Sequence, residues 1–404
     1  MIFVKRQQLF RLFWNLIACF ALLVIAEGLS HTLEHWNKKT IGIGGKRIAH
    51  DTLGFLPQAG VVENITDEYH NRLTINAYNM NDTVITAARL EAPIRIMLLG
   101  DSHTYGTGVS TLETFSWQLN NLLFQQQNTK GTVFNCAVVG YSLGQYLLRY
   151  RQLKKIFRPT TVIIGFSAAT DLYDLLPPRK GGFIYGENFG RVYHDLDNNN
   201  QLIEVHDLVG KKIGKGKNSK ANVSQITLFT RFKHFVKSRS LYRRVKTSSL
   251  ALYLATNLPF NNDLNLWEGV ETAVVKDLSI ENTYRWQLAA QILRQFAQET
   301  RQDGVKLVLF NIAYYPIVND EVWKKSFGNN PAKYDREVCS RRLATICDTL
   351  GIDYLDSTPL LRKEHATQPK ALYYPQDKHP TATGHLLLAK LLAEHLQNQS
   401  KVSN

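Results

Sequence analysis

Residues 94–108 read IRIMLLGDSHTYGTG, an apolar run that stops abruptly at Gly100-Asp101-Ser102 and a Gly/Thr-rich turn. An apolar run of this length bounded by turn residues reads as a buried parallel strand. Ser102 then sits just past the strand's carboxyl end, where open α/β sheets place their chemistry. A serine there becomes a nucleophile only if a histidine can take its proton and a carboxylate can orient that histidine. Asp377 and His379 supply both, far along the chain.

Working outward, Thr114 to Gln127 sets Phe115, Leu119, Leu122 and Leu123 at helical spacing, the first crossover helix. Thr132 to Val139 reads as a strand ending at Gly140, Leu143 to Phe157 as a basic helix, and Thr161 to Phe166 as a third strand running into Ala169-Thr170-Asp171. Beyond Pro177-Pro178 the pattern changes. Phe183 to Val205 reads as a hairpin turning at Asp195 to Asn200, whose acidic spacing lacks the glycine and closing glutamate of a calcium loop. Within the basic insertion that follows, Phe229 to Val245 reads as helical. Core patterning resumes with a helix over Thr283 to Thr300, a strand over Val305 to Ile312, a helix over Arg336 to Leu350, a short strand over Ile352 to Leu355 and a final helix over Gly384 to Leu396. Alternating strands and helices predict a parallel sheet covered on both faces. Gly42 to Asn81, polar and weakly patterned, is expected to wrap the domain edge.

With 404 residues and 44% hydrophobic content the chain can bury a large core. The motifs run from near Arg95 to near Leu396, which argues for one domain with insertions. The expected division is an N-terminal segment over 1–39, a wrapping segment over 40–92, and a domain over 93–400 carrying a basic insertion at about 178–280. Lys5, Arg6 and Arg11 precede an uncharged stretch from Leu12 to Ala26. It can act as an uncleaved transmembrane anchor or as a cleaved signal, Val24-Ile25-Ala26 being a usable cleavage site. The helix-compatible continuation Glu27 to Trp36 favours the anchor. Either way the positive charges stay inside and the bulk of the chain is expected to face outward, periplasmic or at the cell surface. Cys339 and Cys347 fall eight residues apart on one expected helix, about 12 Å, too far to bridge, and Cys136 lies in an apolar run.

The net charge is +14, and twelve Lys and Arg fall between Lys211 and Lys246, inside a stretch from Leu208 to Asn262 with no Asp or Glu. Anionic lipid heads or an acidic glycan are natural counterparts, and a solvated face accounts for the run equally well. No nucleic-acid motif accompanies the charge.

Four blocks carry a family resemblance: Gly100-Asp101-Ser102-His103-Thr104-Tyr105-Gly106, Asn135 to Tyr141, Thr170-Asp171-Leu172-Tyr173-Asp174, and Asp377-Lys378-His379-Pro380. In order and separation they resemble the motif blocks of the SGNH, or GDSL-type, hydrolases, over a span from Asp51 to the C-terminus. The resemblance implies a flavodoxin-like three-layer α/β/α sandwich with a central parallel sheet. It also implies that Ser102 is the nucleophile, that His379 is its base and then the acid for the leaving alcohol, and that Asp377 orients the imidazole. The oxyanion hole it implies is the backbone N–H groups of Ser102 and Gly140 with a third donor. That donor is an asparagine in the family and Thr170 here, a shorter side chain with a single hydroxyl. Many members place the aspartate three residues before the histidine, where this chain has Gln376. Against these roles stand plain structural ones: Ser102 as a helix cap, His379 as a turn histidine, Asp171 and Asp101 as local backbone fixers, and His103 as a pocket-lining neighbour.

The activity implied is a serine esterase, removing an acyl group such as acetyl from an envelope carbohydrate, with no cofactor or metal. An O-acyltransferase on an envelope polysaccharide, and a non-catalytic binding or assembly protein keeping the fold, are the rival readings.

Overall fold

The opening stretch forms a strand of a five-stranded parallel sheet. A computed structural model describes residues 45–176, 190–206, 264–369 and 371–402. The chain divides into two compact units, Met1–Thr40 with Lys220–Leu264 and Ile41–Ser219 with Asn265–Asn404. The described residues belong to the second, apart from Leu264. The N-terminal apolar segment and the Lys211–Lys246 run lie outside the described residues. Among those described, no helix is long and apolar enough to cross a membrane.

The strands, in chain order, are β1 Arg47–His50, β2 Gly54–Pro57, β3 Gly60–Ile65, β4 His70–Ile75, β5 Ile94–Gly100, β6 Gly131–Asn135, β7 Thr161–Phe166, β8 Tyr193–Leu196, β9 Leu202–Val205, β10 Lys306–Asn311 and β11 Asp353–Asp356. The central sheet runs β11-β10-β7-β5-β6 with every pairing parallel. Taken in chain order these five strands lie 2-1-3-4-5 from the β6 edge, the doubly wound order whose switch point falls between the first and third strands. Here that is between β5 and β7, and Ser102 and Thr170 follow those two strands.

Period-2 alternation assigns each face of the sheet its own core. Met97, Leu99, Phe134, Val162, Ile164 and Leu309 pack on the side of helices Leu143–Phe157, Ile280–Gln302 and Val338–Leu350. Ile96, Leu98, Val133, Ile163, Val308 and Phe310 pack on the side of Phe115–Asn120, Thr358–Thr367 and Ala382–Val402. The result is an α/β sandwich of three layers. Each such fully buried aliphatic or aromatic side chain contributes roughly 1.5–3 kcal/mol relative to exposure.

Two features go beyond the sequence reading. Within the segment over 42–81, from residue 47, the chain folds into two antiparallel hairpins, β1–β2 and β3–β4. The alternation Arg72-Leu73-Thr74-Ile75 is a half-buried strand, with Leu73 and Ile75 inward. Helix Thr358–Thr367 was not anticipated, because its Ser-Thr-Pro start reads equally well as a turn, although Pro near a first helical position suits helix entry. The β8–β9 hairpin is present with a plain turn, in which Asp197 Oδ1 accepts the N–H groups of Asn199 and Gln201. The earlier part of that expected hairpin, from Phe183, and the expected helix over Phe229 to Val245 lie outside the described residues. Cys136, Cys339 and Cys347 are buried and unbridged.

Candidate active site

Asp101, and not Ser102, caps the single-turn helix Ser102–Tyr105: its carboxylate accepts the His103 N–H at 2.9 Å, and Gly106 closes the turn in the left-handed region. A cap of this kind contributes about 1 kcal/mol. Ser102 is thereby the first helical residue, with its N–H left over, and it is buried at 9% exposure. The turn lies close over the strand ends. A Cβ on Gly100 or on its register partner Gly165 would come within 2.1 Å of Thr104 Oγ1, so neither strand end tolerates a side chain there.

The hydrogen-bond ladder between β5 and β6 continues past the strand ends, with Cys136 N–H on Leu98 O and Val138 N–H on Gly100 O. The chain then turns at Gly140, with the Tyr141 N–H on Val138 O. Gly140 has φ +79°, a conformation that glycine adopts at no steric cost. Among the described residues neither the Ser102 nor the Gly140 N–H has an acceptor. Both N–H groups are thus unclaimed donors, of the kind an oxyanion hole requires.

From the other end of the chain, the loop before helix Ala382–Val402 brings His379 Nε2 to 2.7 Å from Ser102 Oγ. His379 Nδ1 bonds Asp377 Oδ1. The Asp377 carboxylate thus faces the ring nitrogen remote from the serine, which fixes the tautomer with Nδ1–H toward Asp377 and Nε2 free to accept from Ser102. Burial pushes the Asp377 carboxyl up, but the His379 ring and the Tyr69 hydroxyl outweigh it and hold it below the usual carboxylate value. Burial pushes the His379 imidazole down, Asp377 and more distantly Asp101 push it up, and the net direction is up from 6.5.

Thr170 is beside the serine turn, but its hydroxyl is committed. It donates to Asp101 Oδ2 at 2.6 Å and also approaches Ser167 O at 3.1 Å. In this arrangement its one hydrogen stabilises a buried carboxylate and is not directed at a substrate oxygen, which departs from the third-donor expectation. Burial raises the Asp101 carboxyl, but His103 and the Thr170 hydroxyl together bring it below its usual value. Asp171 is wholly buried, accepting the Tyr146 hydroxyl and the Ser167 N–H, which fits its plain structural reading. His103 does not line open space: it is 1% exposed, with Nδ1 3.3 Å from Asp101 Oδ2 and its ring 4.8 Å from that of His379.

Three further residues at the site were not singled out from sequence. Tyr69 donates its hydroxyl to Asp377 Oδ2 at 3.0 Å, and Glu68 accepts the Gln376 and Asp377 N–H groups at 2.8 and 2.7 Å. His385 is fully buried and accepts the Phe115 N–H at 3.2 Å, tying the last helix to the first crossover helix. The β3–β4 alternation around a Thr-Asp turn was the signal available for the first two; His385 had none. Among the described residues no cluster of His, Cys, Asp and Glu could hold a metal ion.

No family model and no curated protein matches the sequence. Among solved structures the chain is similar to Axe2, an acetylxylan esterase from Geobacillus stearothermophilus, at 12% identity and a TM-score of 0.37, over 76% of this chain and 95% of that one. It is also similar to the psychrotrophic esterase EstA from Pseudoalteromonas sp., at 10% identity and a TM-score of 0.37 over 76% and 98% of the two chains. Both of these neighbours are esterases.

Proposed function

We propose that this chain is a serine ester hydrolase of the SGNH type, with Ser102, His379 and Asp377 as its catalytic group. The observation that carries the reading is the single hydrogen-bonded line from Ser102 Oγ to His379 Nε2, at 2.7 Å, and from His379 Nδ1 to Asp377. In the first half-reaction Ser102 Oγ attacks the ester carbonyl carbon and its proton passes to His379 Nε2. The carbonyl oxygen, now anionic, is received by the Ser102 and Gly140 N–H groups. The C–O bond to the alcohol then breaks, and the proton on His379 leaves with that alcohol. Water repeats the sequence on the acyl-serine and releases the acid.

The substrate within this proposal is a small acyl ester, acetyl foremost, on a carbohydrate of the cell envelope, reached by a domain held at the membrane through the Leu12 to Ala26 segment. The basic N-terminal flank and the Lys211–Lys246 run support that location.

A fluorophosphonate probe tests the chemistry. Labelling is expected at Ser102, absent in Ser102→Ala and reduced on the order of 1,000-fold or more in His379→Ala. Its rate should rise with pH through a midpoint above 6.5, since the base must be neutral and its pKa is raised. A folded wild-type protein that leaves Ser102 unlabelled would reject the reading in favour of a binding role. Movement of labelled acetate onto a glycan without net release would make transfer the right name.

A further inference from the structure

The catalytic loop and the serine turn are far apart in sequence, and one element touches both. The tip of the β3–β4 hairpin, residues 66–69, is locked by Thr66, whose hydroxyl accepts the Glu68 and Tyr69 N–H groups at 3.2 and 3.0 Å. From this tip the Glu68 carboxylate takes two successive backbone N–H groups of the acid loop, one on each oxygen. Tyr69 supplies the donor for Asp377 Oδ2, the oxygen that His379 does not use. The Tyr69 ring packs on Tyr374 at 4.9 Å, and the Tyr374 hydroxyl donates to Gly108 O, just beyond the serine turn. On the β4 strand, Asn71 Nδ2 donates to Val109 O at 2.9 Å and the Thr74 N–H to Thr111 Oγ1 at 2.7 Å. The hairpin therefore grips the nucleophile's loop with one strand and the acid loop with its tip.

The gripped loop needs holding. Lys378, between Asp377 and His379, has φ +70°, in the left-handed region that a lysine seldom adopts. Such a conformation persists only where its surroundings over-determine it. Here the Lys378 N–H bonds Tyr374 O, the Tyr374 N–H bonds His379 O, and Glu68 secures the two residues before Lys378.

We propose that Glu68 and Tyr69 are positioning residues of the site: the hairpin tip clamps the acid loop so that Asp377 presents one oxygen to His379 while Tyr69 occupies the other. This rests on the reading of Ser102, His379 and Asp377 as the catalytic group. Burial and the neighbouring Asp377 push the Tyr69 hydroxyl well above its usual value, so it stays a donor over the working pH range. Besides Asp377, the charged and titratable groups around His379 are Asp101 and His103 from the serine turn and His385 from the last helix; Asp377 itself is faced by His379, Tyr69 and Tyr374, with the Glu68 carboxylate on its N–H.

The test uses the full chain, with Val61→Ala on the exposed far end of the same hairpin as the control variant. The first readout is the low-field proton resonance of His379 Nδ1–H, assigned by its loss in His379→Ala, which needs no turnover. It should be sharp in the wild type and in Val61→Ala, shifted in Tyr69→Phe, and broadened or lost in Glu68→Gln, where an amide N–H₂ replaces one acceptor. The second readout is the pH dependence of acyl-ester hydrolysis. Tyr69→Phe leaves more charge on the carboxylate facing His379 and should move the acid limb up by about half a pH unit. Glu68→Gln should lower kcat about 10- to 100-fold with KM changed less than twofold. Should Glu68→Gln not fold, Tyr69→Phe, which removes one oxygen, carries the test alone. A resonance and pH profile unchanged in folded variants would overturn the clamp. Failure of the wild type to label at Ser102 would instead overturn the hydrolase reading, and the resonance would still decide the clamp.

Discussion

Thr170 is the residue at which this site parts from the pattern its sequence resembles. Its hydroxyl completes the shell of Asp101, a carboxylate 1% exposed that also caps the serine turn. An uncompensated buried carboxylate is costly, so the hydroxyl's hydrogen is better placed there than facing solvent. On the proposed reading, the oxyanion hole is then left with the two backbone donors of Ser102 and Gly140. Removing a true oxyanion donor slows an enzyme about 100- to 1,000-fold. Thr170→Val should slow ester hydrolysis less than about tenfold, with the loss appearing alongside a lower Tm because Asp101 loses a partner. A 100-fold fall in kcat at unchanged Tm would mean that the hydroxyl turns to the substrate during the reaction.

Among the elements, the one that places Ser102 is the short helix Ser102–Tyr105, and its seat is made by the absence of side chains on two strands. Gly100 and Gly165 pair across β5 and β7, and Thr104 occupies the space above both. In Gly165→Ala the added methyl meets Thr104 Oγ1 at 2.1 Å, and the turn carrying Ser102 must lift. Near-attack geometry is sensitive at this scale, so hydrolysis should fall about 100-fold. Thr104→Ala added to Gly165→Ala removes the obstruction and should recover much of the rate. No recovery in a folded double variant would show that the strand end, rather than the helix seat, had been damaged.

At the scale of the whole molecule, buried charge sets how stability responds to pH. Asp174, beyond the helix Ala168–Asp171, is 2% exposed, with Oδ1 lacking a partner among the described residues. Burial raises its pKa to about 8, against a lowering pull from Arg191. The folded protein therefore holds a proton that the unfolded chain releases near the usual 3.8. Stability from this group is fully present below that value and is lost as pH rises through about 8. Asp174→Asn keeps the shape and removes the titration. Its Tm should exceed the wild type's at pH 8 and the margin should shrink towards pH 4, as thermal melts across that window would show. A margin independent of pH would place the proton elsewhere.

The layered sheet was legible because it is built from signals carried by short windows. The apolar runs Ile94–Gly100, Thr161–Phe166 and Lys306–Asn311 are strands within a residue of where their pattern places them, and Leu143–Phe157 is helical over its full expected length. Ser102 and Gly140 could be named because their motif blocks follow recognisable strands, and Asp377 and His379 because theirs lies just before the last helix. Glu68 and Tyr69 could not, since the alternation around their turn marks a hairpin but not that its tip will meet residues some three hundred positions later. The commitment of Thr170 to Asp101, and of His103 to the space against His379, likewise depended on which atoms came within hydrogen-bonding distance once both cores had packed. Periodicity and turn chemistry are local and determined by the sequence itself; the partner of each polar group is decided only when long-range packing removes water and leaves that group a single neighbour.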